Sequence, residues 1–178
     1  TALPVIRVDL AATIEELEWT VNAYTLTFAV FVLTGDALGD RFGRKRMFII
    51  GVALFTVASA AAALAPSADW LIAARAVQGI GAAIVTPLTL TLLSAAVARE
   101  KRGLALGAWS GIAGLAVAMG PLFGGAVVDG ISWQWIFWLN VPVGIVLLPL
   151  ATLLRESTGP DKALDLPGLT LVSGGLLG

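Results

Sequence analysis

Apolar residues along the chain fall into long blocks, and the charged residues gather in the short gaps between them. The first full block runs from about Trp19 to Leu38, the second from Met47 to Leu64 and the third from Trp70 to Val97. A fourth runs from about Gly103 to Val128 and a fifth from Trp133 to Leu154. At about 1.5 Å per residue, each can cross a hydrocarbon layer of about 30 Å as a helix. None alternates apolar and polar positions as a barrel strand would. The pattern predicts an all-α fold, a polytopic membrane bundle of about five complete transmembrane helices with partial ones on either side.

The flanks of these blocks set the expected organisation. Residues 5–18 carry Asp9, Glu15, Glu16 and Glu18 and read as a short external loop. Thr13 and Glu16 have the spacing of a capping box where that loop enters a helix. Pro66 to Asp69 and Asp129 to Ser132 read as turns. Residues 1–154 are expected to form one helix bundle with only the end of its first helix. Residues 155–164 are expected to be a short linker, and residues 165–178 the start of a further transmembrane helix, so that both ends of the sequence read as cut.

Composition narrows the class. Of 178 residues 58% are hydrophobic and 13% charged, against about a quarter charged in a soluble domain. The expected partner is therefore the lipid bilayer. With no Cys and no His, a disulfide framework, a Cys/His zinc site and a Ser-His-Asp triad are excluded. No Gly-rich phosphate loop appears, and the basic residues are too dispersed for a nucleic-acid surface. An enzyme is not expected, nor a cofactor or metal.

Lys and Arg give an orientation. Counting gaps alternately, one set holds Arg41, Arg44, Lys45, Arg46, Arg99, Lys101, Arg102, Arg155 and Lys162, and the other only Arg7. Basic residues remain on the cytoplasmic side of a membrane. Loops 39–46, 98–102 and 155–164 are thus expected in the cytoplasm of a cell with this chain in its inner membrane. Trp19, Trp70, Trp133 and Trp135 then fall at external ends, where interfacial anchors belong.

Three segments carry more than hydropathy. In Gly35-Asp36-Ala37-Leu38-Gly39-Asp40-Arg41-Phe42-Gly43-Arg44-Lys45-Arg46, Gly43 suits a tight turn with positive φ. Asp40, at a helix end, can pair with an Arg or with another helix N-terminus. In Arg75-Ala76-Val77-Gln78-Gly79-Ile80-Gly81-Ala82-Ala83, a charge lies inside an apolar block. An Arg at a helix centre costs roughly 2.5 to 3.5 kcal/mol even on the lenient insertion scale, and faces the bundle interior or a wet cavity. Gln78, three residues on, shares its face, and Gly79 with Ala83 forms a small-xxx-small pair for close helix contact. In the third segment, Gly120 and Gly124 permit close backbone approach, and Pro121 favours a kink.

These segments resemble the major facilitator superfamily, and within it the drug:proton antiporters with fourteen spans. The first is similar to the family loop Gly-x-Leu-Ala-Asp-Arg-x-Gly-Arg-Lys through Leu38, Asp40, Arg41, Gly43, Arg44 and Lys45. Gly39 takes the small position and Asp36 stands where the family has its leading Gly. The resemblance implies a cytoplasmic charge latch that holds the outward-facing state, with Asp36 as part of it. The second resembles Arg-x-x-Gln-Gly-x-Gly-Ala-Ala on the fourth helix, which implies that Arg75 supports proton coupling by favouring a nearby carboxylate. The third resembles the exporter pattern Gly-Pro-x-x-Gly-Gly through Gly120, Pro121, Gly124 and Gly125, with Gly107 upstream. It implies a kinked, tightly packed fifth helix. Ala2-Leu3-Pro4, the Trp133 to Gly144 stretch and Asp165-Leu166-Pro167-Gly168 also look like that branch. The acid that the family carries on its first helix would precede Thr1.

The resemblance implies an exporter of amphipathic small molecules that takes in protons, driven by the proton gradient, with a C-terminal half that completes it. Arg75 and Gln78 are expected to line the cavity, with Asn22 and Tyr24 as further candidates. An importing permease of the same superfamily and a non-transporting membrane subunit remain open; the Gly-Pro-x-x-Gly-Gly segment argues against the first and Arg75 against the second.

Overall fold

The computed structural model describes residues 2–159 and 174–175. The expected helix start at 165–178 and the linker from 160 onward lie outside the described residues, apart from 174–175. The elements are α1 (Leu3–Asp9), α2 (Ile14–Phe42), α3 (Arg44–Ala63), α4 (Ala68–Ala96), α5 (Arg102–Gly130), α6 (Trp135–Trp138) and α7 (Asn140–Thr152), with a 3₁₀ turn at Arg99–Lys101 before α5. The described residues contain no strand. Five stretches are long and apolar enough to cross a membrane: Ile14–Phe42, Arg44–Ala63, Ala68–Ala96, Arg99–Gly130 and Trp135–Thr152.

Local chemistry explains the boundaries. Thr13 extends at ψ 165° and its hydroxyl accepts from Glu16 N, while the Glu16 carboxylate accepts from Thr13 N at 2.6 Å. That reciprocal box starts α2 at Ile14, several residues before the apolar block. Ser67 caps α4 through Trp70 N. At the far end α2 runs through Asp40 and Arg41, so the expected charged loop is reduced to Gly43 alone, at φ 104°. Two long helices reverse across that one residue, which glycine permits.

Residues 5–18 depart from the expected loop. Leu3–Asp9 is helical and Ile6 is buried. Asp9 accepts from the indole Nε1 of Trp133 at 2.7 Å. Trp133 is 1% exposed and packs edge-on against Phe137, so it is a core residue rather than an interfacial anchor. A bilayer edge and a covered helix end both suit an indole, and only the neighbouring Asp9 separates the two. Trp19, Trp70 and Trp135 are exposed.

The buried apolar residues form two clusters. One holds Ile6, Leu17, Leu71, Ala74, Trp133 and Phe137; the other, toward the basic end, holds Met47, Phe48, Val52, Ile84, Leu88, Leu92 and Ala151. The buried polar residues Thr20, Thr56, Ser59 and Gln78 belong to neither.

Glycines set the approach of α2, α3 and α4. A Cβ on Gly35 would lie 2.7 Å from Ala83 O, and one on Gly81 would lie 2.7 Å from Phe55 N and 3.0 Å from Gly51 O. Gly35 therefore supplies the close contact at the head of the basic motif, beside Asp36. Small residues let backbones meet where lipid gives helices no hydrophobic reason to associate.

Gly81→Ala forces a methyl into backbone atoms of α3. It is expected to cost about 1–3 kcal/mol, as overpacking does. Val57→Ala, at a side chain 68% exposed, should change stability by no more than about 0.5 kcal/mol. Thermal unfolding of the full-length protein in detergent measures both.

Candidate functional site

Arg75 sits on α4 seven residues beyond Ala68, about 10 Å along the helix axis. Its Nε donates to the Thr20 carbonyl on α2 at 3.0 Å and its Nη1 to Gln78 Oε1 at 2.7 Å. The guanidinium lies 4.2 Å from the Tyr24 ring centroid and 5.9 Å from that of Phe137. Gln78 is 1% exposed and its Nε2 donates to Ser59 Oγ on α3 at 2.7 Å. Ser59 Oγ in turn donates to Phe55 O. One polar chain thus joins α2, α4 and α3, and each buried link has a partner, as a low-dielectric interior requires.

The spacing of three between Arg75 and Gln78 puts both on one face. Gly79, next on that helix, sits under Tyr24 O and the Thr27 hydroxyl. Thr27 Oγ1 lies within hydrogen-bond distance of Ala76 O on α4 at 2.9 Å as well as of Ala23 O on its own helix at 2.8 Å, and Ala83 is fully buried. The Gly79 and Ala83 pair therefore forms the α2–α4 crossing that brings Tyr24 over Arg75.

No carboxylate contacts Arg75 among the described residues; its partners are a carbonyl, an amide and two aromatic faces. A cavity of about 320 Å³ lies beside the cluster, lined by Tyr24, Phe55, Thr56, Thr86, Asn140 and Gly144 among others. Arg75 and Gln78 do not line this pocket; they stand behind Tyr24. Thr56 and Thr86 return their hydroxyl protons to their own helix. Asn22 is exposed and two residues from Tyr24, hence on the opposite side of α2. The structure does not bring it to the cluster.

At the basic end, Arg44 grips Asp40 Oδ1 with Nε and Nη2, each at 2.8 Å. Leu38 packs against the neighbouring apolar cluster. Arg41 is exposed and lies 5.3 Å from the Phe42 ring. Lys45 Nζ donates to Thr152 O at the end of α7. Asp36 lies one turn before Asp40 and is partly exposed.

Sequence reasoning missed Glu156. Its carboxylate accepts from Lys45 N at 3.0 Å and Arg46 N at 3.3 Å. The available signal was the start of α3 itself: three cations at a helix N-terminus, with a glycine as its only cap. Such an end calls for an anion.

The profile of the Major Facilitator Superfamily matches residues 1–172. The chain belongs to the Major Facilitator Superfamily. An uncharacterized MFS-type transporter of Mycobacterium tuberculosis is 46% identical over 153 residues, which cover 86% of this chain and 26% of that protein. The tetracenomycin C resistance and export protein of Streptomyces glaucescens is 37% identical over 178 residues, 98% of this chain and 33% of that protein. The cephamycin export protein CmcT of Amycolatopsis lactamdurans is 42% identical over 182 residues, 98% of this chain and 37% of that protein. The chain spans between about a quarter and somewhat over a third of the length of these relatives.

Of the long helices, α5 is the barest among the described residues. Residues 110–123 are exposed throughout. A Cβ on Gly107, Gly120 or Gly124 would meet nothing within 4 Å, and Gly125 is half-buried. The tight packing expected of these glycines is not made among the described residues. The helix also runs unbroken through Pro121. α5 is apolar on every side, so its sequence marks no buried face.

Ser59→Ala strips Gln78 Nε2 of its acceptor in a fully buried place and is expected to cost about 1–3 kcal/mol of stability. Tyr24→Phe keeps the ring over Arg75 and should remain close to wild type. Tyr24→Ala should lose about 0.5–2 kcal/mol, the range of a cation–π contact. Thermal unfolding in detergent separates the three.

Proposed function

We propose that the chain is part of the N-terminal bundle of a proton-coupled exporter of amphipathic small molecules, of the fourteen-span drug:proton antiporter branch. The observation that carries this reading is Arg75, a cation held between helices with no carboxylate in contact among the described residues. A fixed charge in such surroundings strongly favours the ionised form of any acid brought near it. In the proposed cycle that acid belongs to a part of the transporter beyond this chain. Arg75 sets how readily it gives up its proton as substrate leaves. The export relatives support the direction of transport.

The cavity beside Tyr24 fits an amphipathic compound: its walls are Val52, Phe55, Val85, Val143 and Leu147, with uncharged polar groups from Tyr24 and Asn140. A second bundle would pack against this one, and alternating access would proceed by rocking of the two around the substrate. The pair Asp40 and Arg44, with Arg41, Gly43 and Lys45, would form the latch on the cytoplasmic face of the inner membrane. The energy source is the proton gradient and no cofactor is required.

The test uses the full-length transporter in proteoliposomes with an imposed proton gradient and a fluorescent cationic dye. Arg75→Ala should lower gradient-driven efflux at least about tenfold, equivalent to loss of a hydrogen bond to a charged group. Arg75→Lys should fall nearly as far, because an ammonium lacks the planar fork that reaches Thr20 O and Gln78 together. Undiminished gradient-driven efflux in Arg75→Ala would remove Arg75 from coupling.

A further inference from the structure

The reversal between α2 and α3 leaves helix ends exposed at one place, and the segment after α7 closes them. α3 begins without a side-chain cap of its own. Its first amides are nevertheless all bonded: Arg44 N donates to Ser157 O at 2.9 Å, Lys45 N and Arg46 N to the two Glu156 oxygens, and Met47 N to Gly43 O at 3.0 Å. On the α2 side, Gly159 N donates to Asp40 O at 3.1 Å. Lys45 Nζ reaches back to Thr152 O in the last turn of α7. The two helices thus cap one another. An acid just past the C-terminus of α7 takes the N-terminal amides of α3, and a cation from α3 takes a terminal carbonyl of α7. Each charge stands where the helix dipole favours it.

The fit is close on both sides. A Cβ on Gly43 would lie 2.8 Å from the Glu156 carboxyl carbon, and one on Gly159 would overlap the Asp40 side chain. Without the Glu156 carboxylate, Arg44, Lys45 and Arg46 would crowd the positive end of α3, with Asp40 and, one turn further back, Asp36 as the acids of α2 nearest to them. Arg46 adds a contact of 3.8 Å to Glu156, though its side chain is 78% exposed and the pair contributes little on its own.

We infer that Glu156 is a positioning residue of the latch. Its carboxylate fixes the first turn of α3, and so the Arg44 guanidinium, against Asp40. It also makes the chain leave the bundle from the latch rather than from the end of α7. Displacement of the chain beyond Gly159 is therefore transmitted to the Asp40–Arg44 pair. The role in the transport cycle rests on the exporter reading above; the clamp itself does not.

Two measurements on the full-length transporter test this. Hydrogen exchange of a peptide covering residues 43–47 should be about tenfold faster in Glu156→Ala and intermediate in Glu156→Gln, which keeps one acceptor oxygen. Gly159→Ala pushes the linker off Asp40 with Glu156 intact, and should raise exchange in the same peptide if Glu156→Ala cannot be purified. In proteoliposomes, Glu156→Ala should reduce the maximal rate of gradient-driven dye efflux about fivefold or more with KM within about twofold, and Glu156→Gln should recover part of it. Unchanged exchange at 43–47 overturns the clamp. Raised exchange with an unchanged maximal rate overturns its role in the latch. If wild type shows no gradient-driven efflux, the exporter reading fails, and the exchange data still decide whether Glu156 holds α3.

Discussion

A guanidinium between apolar helices must have its donors accepted by the protein, because lipid offers no acceptor. Arg75 meets that demand with a backbone carbonyl of α2, the amide of Gln78 and the face of Tyr24. Gln78 passes the demand on to Ser59 of α3. Three helices are thereby held in register by one charge. The polar residues occupy a level between two apolar clusters. Sliding α4 by one turn along its neighbours would move Arg75 about 5.4 Å from these partners. The register of the bundle and the placement of the charge are thus one constraint.

That constraint needs short distances between helix axes. Thr27 comes this near Ala76 O only because Gly79 has no side chain at the crossing, and α3 approaches α4 where Gly81 lies against Phe55 N and Gly51 O, and Gly51 against Ile84 and Val85. Hydrogen bonds between membrane helices average about 0.6 kcal/mol in direct measurements. Such bonds add specificity to an approach that the small residues already permit. α5 shows the opposite case. It is rich in glycine as well, and among the described residues nothing lies within 4 Å of a Cβ built on its glycines from Gly103 to Gly124.

The spans were legible because a bilayer imposes a minimum apolar length, and the gaps between blocks are short and charged. The Thr13 box, the Gly43 turn and the shared face of Arg75 and Gln78 were legible too, since each is settled within a few residues. What was missed depended on partners far along the chain. Trp133 reads as an anchor until Asp9, distant in sequence, folds beneath it. Glu156 reads as a linker acid until α7 returns it to α3. Asn22 and Tyr24, two residues apart, point to different sides of α2, and only the contact of Tyr24 with Arg75 on another helix tells which side is inward.

The basic end exposes a conflict between two rules. Positive charge concentrates on one side of a membrane whichever way a helix points, whereas the helix dipole disfavours cations at an N-terminus. Helices that start at the basic end feel both. α3 starts with Arg44-Lys45-Arg46 and resolves the conflict with two carboxylates, Asp40 from the preceding helix and Glu156 from beyond α7. α5 starts at the same end after Arg99, Glu100 and Lys101, has no side-chain cap, and carries no acid in its first turn. There the Arg102 Nε turns back to Val97 O at 3.4 Å, a weak bond by geometry. The anchored start belongs to the helix that carries the buried network, and the uncapped start to the helix with the bare flank. Among the described residues, the α3 start is thus tied to both α2 and the segment after α7, whereas the α5 start is tied only through the preceding turn.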